Sequence, residues 1–289
     1  MQEFKGKTAL ITGGAGGLGK GFALEAAERQ MNVVLADVQQ DALDKAIAEL
    51  EEIQCHALGV LTDTRQRGQY ENLLDSALSR FGNVHLFFNN AGVVNAGKAV
   101  PIWQLPDNDW AWVMGVNFYG VLNGMQVVVP HMVDHGEEGH IVNTASIASF
   151  IPGGGPYGVS KFGVIHISEA LAIDLKKQES KIGASVLCPG WVSTGIGEAE
   201  RNRPPDLRSE VNPENKGLGI EQLLAGSMSP QHLAKLVFEG IENKQFYIFP
   251  HEGWDYMVRD HYQAMLDRGG VYEFDLEAHV ATRAKGKNI

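Results

Sequence analysis

Five glycines within seven residues, Gly13, Gly14, Gly16, Gly17 and Gly19, constrain this chain more than any other stretch. They lie in the segment Lys7–Ala27, KTALITGGAGGLGKGFALEAA, at the point where the apolar period changes. Thr8 to Ile11 is β-branched and aliphatic, as in a buried strand, whereas Phe22, Ala23, Ala26 and Ala27 recur at helical intervals. Strand, glycine turn and helix together form a phosphate-binding unit. Backbone that must touch a pyrophosphate has no room for side chains, and the next helix offers free N–H groups and positive dipole. Gly14-x-Gly16-x-x-Gly19 fits the general dinucleotide pattern, and Thr12-Gly13-x-x-x-Gly17-x-Gly19 fits a narrower one. A tight turn with no ligand is the competing reading, and the flanking strand and helix weigh against it.

A chain of 289 residues with 44% hydrophobic and 20% charged residues can build one large α/β domain. Its net charge of -11, without clustered Lys and Arg, argues against a nucleic-acid partner. Cys55 and Cys188 fall in expected strands and form no CxxC pair, so they read as buried thiols rather than a disulfide or metal site. The opening MQEFKGK leads straight into the first strand, and no uninterrupted apolar run approaches membrane length. These features predict a cytoplasmic protein with no membrane partner.

Further strands are expected at Asn32–Val38, His56–Leu61, Val84–Phe88, Ile141–Ala145, Gly183–Leu187 and Phe246–Phe249. Between them lie helices from Asp41 to Ile53, after Asp63, from about Asp107 to Met132, from Tyr157 through Leu175, and from Ser229-Pro230 to Glu242. Alternation of strands and helices predicts a doubly wound parallel sheet. Asp37 ends the second strand, 18 residues after Gly19, where a carboxylate can take the adenosine ribose hydroxyls and repel a 2′-phosphate. That favours NAD over NADP; an N-cap for the helix beginning near Asp41 is the alternative. Asp63 is a candidate for the adenine amino group or for a helix cap.

Asn89-Asn90-Ala91-Gly92 suits a floor beneath a flat ligand, with small residues for close approach and amides that tie strand ends together. Ser146 reaches the carboxyl end of its strand, and Tyr157-x-x-x-Lys161 puts a phenol and an ammonium on one helix face. A phenol of pKa near ~10 becomes a usable acid or base at neutral pH when a neighbouring cation stabilises phenolate. After Cys188, Pro189-Gly190 turns the chain, and Val192 and Thr194 follow with groups able to bind a carboxamide. Asn117 is either a satisfied core amide or part of the site. His131 and His135, four apart, read as solvated residues at a helix end rather than metal ligands. Trp103, Trp110, Trp191 and Phe150 are candidates for an aromatic pocket or for core. The stretch from Gly197 to Met228 is polar and rich in Pro and Gly, which predicts a substrate lid, and residues 251–289 predict one further helix and a basic tail.

Taken in order, Thr12-Gly13-x-x-x-Gly17-x-Gly19, Asn89-Asn90-Ala91-Gly92, Asn117, Ser146, Tyr157-x-x-x-Lys161 and Pro189-Gly190 resemble the short-chain dehydrogenase/reductases over roughly residues 5–250. The resemblance implies a Rossmann-like sheet of seven parallel strands with helices on both faces, in a homotetramer or homodimer. The NAD-binding domain would then span residues 1–250, including the lid, with 251–289 as a C-terminal extension.

By the same resemblance Tyr157 transfers a proton and Lys161 lowers its pKa and holds the nicotinamide ribose. Ser146 binds the oxygen of a small-molecule alcohol or ketone, and Asn117 supports a proton relay. Gly13, Gly17, Leu18, Gly19, Asp37, Asp63, Asn90, Ala91, Gly92, Pro189, Gly190, Val192 and Thr194 would contact NAD, and no metal is needed. The family usually spaces its serine and tyrosine further apart than the eleven residues here; Thr144 lies thirteen back, but Ser146 sits at the exposed strand end. The long insertion and QFYIFPHEGWDYMVRDHYQAMLD also resemble the Cα-dehydrogenases that oxidise benzylic alcohols of lignin-derived aryl ethers. A non-catalytic NAD-binding regulatory or scaffold protein is the alternative of a different class.

Overall fold

The computed structural model describes residues 1–95, 100–208 and 227–284. Part of the expected lid (209–226) and the end of the tail (285–289) lie outside the described residues. Seven strands, β1 Thr8–Thr12, β2 Asn32–Asp37, β3 Ala57–Leu61, β4 Leu86–Asn89, β5 Gly139–Thr144, β6 Ile182–Leu187 and β7 Tyr247–Ile248, form one sheet. All pairs are parallel, in the order β3-β2-β1-β4-β5-β6-β7. The order reverses between β1 and β4, so their carboxyl ends flank a crevice.

Alternation along the strands builds a core on each face. Ala9, Ile11, Val33, Leu35 and Phe88 face the side covered by α1 (Gly17–Glu28), α2 (Gln40–Glu52) and α7 (Pro230–Glu242), where the Phe22 and Phe88 rings stack at 4.3 Å. Leu10, Val34, Ala36, Phe87 and Ile141 face α3 (Arg67–Phe81), α5 (Gly120–Asp134) and α6 (Gly155–Lys177). Ser229 caps α7 as expected, its hydroxyl accepting from His232 N–H.

The expected helix from Asp107 is one run of three parts: α4 (Asp107–Met114), a wide π turn at Gly115–Tyr119, and α5. By length and composition the run Asp107–Asp134 is apolar enough to cross a membrane. In the fold α5 packs on α3, and α4 packs on α6.

Three expectations need correction. His131 and His135 are half-buried and grip the chain ahead of β4: His131 Nε2 accepts from Val84 N–H at 3.3 Å, and His135 Nε2 donates to the Val84 carbonyl at 3.0 Å. With both peptide groups taken, Val84 cannot join the sheet, and β4 starts at Leu86. Neither cysteine lies in a strand: Cys55 precedes β3 and is only partly buried, and Cys188 follows β6 and is buried. The residues after Pro250 form two helices, α8 (Asp255–Leu266) and α9 (Leu276–Ala284), not one.

Where α3 meets β4, the buried Tyr70 hydroxyl donates to Asn89 Oδ1 at 3.0 Å while Asn89 Nδ2 donates to the Val121 carbonyl at 2.7 Å. Tyr70→Phe leaves that amide oxygen without its donor in a dry site. It should cost about 1–3 kcal/mol of unfolding free energy in a urea titration.

Candidate active site

The glycine turn folds back on itself. Gly13 and Gly17 have positive φ (+63° and +50°), and a Cβ on Gly19 would lie 2.0 Å from the Gly13 carbonyl oxygen. Gly16 faces open space, with no atom within 4 Å of where its Cβ would sit. Asp37 is tied to this turn: Oδ2 accepts from Ala15 N–H at 3.1 Å, and Oδ1 accepts from Gln39 N–H at 3.1 Å. It is not the N-cap of α2, a position taken by Gln39. Asp63 is paired with Arg65 (2.6 Å) and does not cap α3, whose N-cap is Gln66.

Across the crevice, Thr12 Oγ1 accepts from Asn90 N–H (2.9 Å) and Ala91 N–H (3.0 Å), and Asn90 Nδ2 donates to the Thr12 carbonyl at 3.0 Å. Thr144 Oγ1 donates to Asn90 Oδ1 at 3.3 Å, so the asparagine links three strand ends as its residue type suggested. Asn117 is wholly buried in the π turn: Oδ1 accepts from Val93 N–H at 2.8 Å, and Nδ2 donates to the Val93 carbonyl and to Ser160 Oγ. Its amide does not reach the cleft.

Helix α6 carries Tyr157 and Lys161 onto the cleft wall. Lys161 Nζ donates to the Thr144 carbonyl at 2.8 Å and lies 5.9 Å from the Tyr157 ring centroid. Ser146 caps a short 3-10 turn, Ile147–Phe150; its Oγ accepts from Ala148 N–H at 3.1 Å and donates to the Pro189 carbonyl at 3.4 Å. The short Ser146–Tyr157 spacing is absorbed by that turn and by Gly153 and Gly155, both with positive φ. Thr144 is committed to Asn90 and Lys161, which leaves Ser146 as the hydroxyl beside the phenol.

Burial pushes the Tyr157 pKa up, with the nearby Ser146 hydroxyl pulling it down. Of these two opposing influences burial is the larger. Burial lowers Lys161 to about 8 and raises the neighbouring Cys188 thiol to about 12.

Ser146, Tyr157 and Lys161 line one cleft of about 570 Å³. Every expected cofactor residue lines it except Gly19, which instead packs under Gly13. Asp37, Asp63 and Arg65 mark one end; Trp112, Trp191, Trp254, Met257, Phe274 and Leu276 wall the other. Of the aromatic candidates only Trp191 is there. Trp103 is 81% exposed, Phe150 belongs to the core with Val121 and Val164, and Trp110 lies outside the cleft. Trp254 occupies the space a Gly190 side chain would need, a Cβ there lying 2.2 Å from its ring. Buried Arg203 fastens the segment after β6 to α4: it donates to Asp109 Oδ1 and to the Leu207 carbonyl, each at 2.6 Å, and its guanidinium lies 4.8 Å over the Trp112 ring. The sequence offered no local sign of this link.

The profile of the short chain dehydrogenase family matches residues 7–205. The chain belongs to the short-chain dehydrogenases. Among solved relatives, a short-chain dehydrogenase/reductase from Burkholderia phymatum in complex with NAD is 39% identical, with a TM-score of 0.89 over 95% of this chain and 99% of that one. A C alpha-dehydrogenase of a Sphingobium species is 34% identical over 96% of this chain and 91% of its own. A CLA biosynthesis dehydrogenase/reductase of Lactiplantibacillus plantarum is 31% identical over 93% and 96%. This short-chain dehydrogenase is accordingly an oxidoreductase of alcohol and ketone groups.

The folded short-chain dehydrogenase holds Lys161 at a pKa of about 8 against 10.5 in water. The burial penalty on its charge is complete below about 8 and fades as pH rises towards 10.5, so this group makes the fold more stable with rising pH across that window. Lys161→Met should therefore raise the melting temperature of the ligand-free protein by roughly a few degrees at neutral pH. The gain should shrink as the melting buffer approaches pH 10.5.

Proposed function

We propose that this short-chain dehydrogenase uses NAD to interconvert a secondary alcohol and its ketone, with Tyr157 as the proton-transfer residue. The reading is carried by the meeting of Ser146, Tyr157 and Lys161 on one wall of the cleft whose far end holds the glycine turn and Asp37. When bound, NAD supplies the hydride acceptor or donor; the chain supplies orientation and the proton. Along the Gly13–Gly17 edge of the cleft the only side chain is the Ala15 methyl, and a Cβ on Gly13 would already touch Ala91 at 3.0 Å; backbone this bare suits a pyrophosphate. The Asp37 carboxylate supports NAD over NADP, because it accepts from ribose hydroxyls and repels a 2′-phosphate.

Towards alcohol, the buried phenol keeps its proton and donates it to the carbonyl oxygen, with Ser146 Oγ donating to the same atom. Towards ketone, Tyr157 must become phenolate, a form that the Lys161 ammonium favours. We assign Asn117 a supporting part in the proton relay: its amide, bound to Val93 and Ser160, fixes the π turn beside the Gly92 backbone that Lys161 Nζ approaches. Trp112, Trp191 and Trp254 support an aromatic secondary alcohol of benzylic type, in keeping with the Sphingobium relative. A binder without turnover would give Ser146, Tyr157 and Lys161 no shared task.

Tyr157→Phe should bind NADH like the wild type and lose about 10²–10⁴-fold in kcat across a panel of aryl ketones; full turnover by the folded variant would remove Tyr157 from its role. Asp37→Ser should narrow the gap between NADH and NADPH affinity, read by fluorescence titration. Equal binding of both by the wild type would refute the role of Asp37.

A further inference from the structure

Just beyond β7 the chain brings one imidazole against the turn that follows β6. His251 Nδ1 accepts from Gly190 N–H at 3.1 Å, and the same ring's Nε2 meets the Trp191 carbonyl at 3.0 Å. A backbone N–H only donates and a carbonyl only accepts, so the two partners fix the neutral ring with its proton on Nε2. One rigid side chain thus grips two successive residues of the Pro189–Trp191 turn. From the opposite side the Pro189 carbonyl accepts from Ile147 N–H at 3.0 Å and from Ser146 Oγ at 3.4 Å. Trp254, three residues after His251, fills the space beside Gly190.

We propose that His251 is a positioning residue for the reaction: it sets the Pro189–Trp191 turn and, through the Pro189 carbonyl, the direction of the Ser146 hydroxyl. This rests on the reading of Ser146 and Tyr157 as the reacting end. Ser146 has a single proton to give, and the place of the Pro189 carbonyl decides how readily that proton turns to a substrate oxygen. His251 itself lies outside the cleft lining, and the residues of the adenosine end are held by other contacts.

The test compares wild type with His251→Phe, His251→Ala and His251→Asn, using acetophenone and related aryl ketones with NADH. The Phe variant keeps a ring without the two hydrogen bonds, and the Asn variant restores an acceptor near Nδ1. Expected are a loss of about 10- to 100-fold in kcat/KM for the ketone in the Phe and Ala variants, a much smaller rise of the NADH Kd, since the turn borders the nicotinamide end while the adenosine end keeps its own contacts, and partial recovery in Asn. Amide hydrogen exchange reads the clamp independently of turnover: Gly190 N–H should be protected in wild type and exposed in His251→Phe. Wild-type kinetics in the Phe variant, retained protection at Gly190, or an NADH Kd that worsens in step with kcat/KM would overturn the positioning role. Absence of turnover by the wild type would count against the dehydrogenase reading alone, while the exchange result still judges the clamp.

Discussion

The threonine at the end of β1 carries a burden that the strands cannot share. Where the sheet order reverses, the chain leaving β4 diverges from β1, and the N–H groups of Asn90 and Ala91 lose any neighbouring strand to bond. Thr12 Oγ1 accepts from both and donates onward to the Phe88 carbonyl at 3.4 Å. Buried amides without partners are costly, so this hydroxyl lets the crevice open without stranding them. The glycine turn, the Asn90 floor and the wall carrying Tyr157 all border the gap it stabilises.

Much of the fold was written in short-range pattern. Phe87 and Phe88 point to opposite faces because successive strand residues must, and that alternation was readable in VHLFFNN. The Tyr157-x-x-x-Lys161 spacing reports a shared helix face for the same local reason. What the sequence did not reveal was set by distant partners. Trp103 and Trp112 are the same residue type, nine positions apart, yet one is in solvent and the other is buried under Arg203, a residue 91 positions further on. His131 and His135, at the end of α5 as expected, looked solvated because nothing nearby says that Val84 would come between them. The aromatic end of the cleft is likewise assembled from α4, the turn after β6, α8 and the stretch leading into α9. No window along the chain contains it.

The wall proposed to carry the chemistry is also where local stability is given up. A lysine in an apolar setting, satisfied by one carbonyl and set beside a buried thiol, is a poor choice for a core and a good one for steadying a phenolate. The surrounding sheet, with two well-filled faces, carries the difference.

The Arg203 anchor has a consequence for anyone recombining pockets among relatives. A transplanted segment bearing this arginine into a scaffold without an acid at the place of Asp109 would bury a cation with its main counter-ion missing, and the reverse graft would bury a lone carboxylate. The two positions therefore form a single inheritable module split across the chain, and chimeras that cut between them should fail to mature rather than merely change taste.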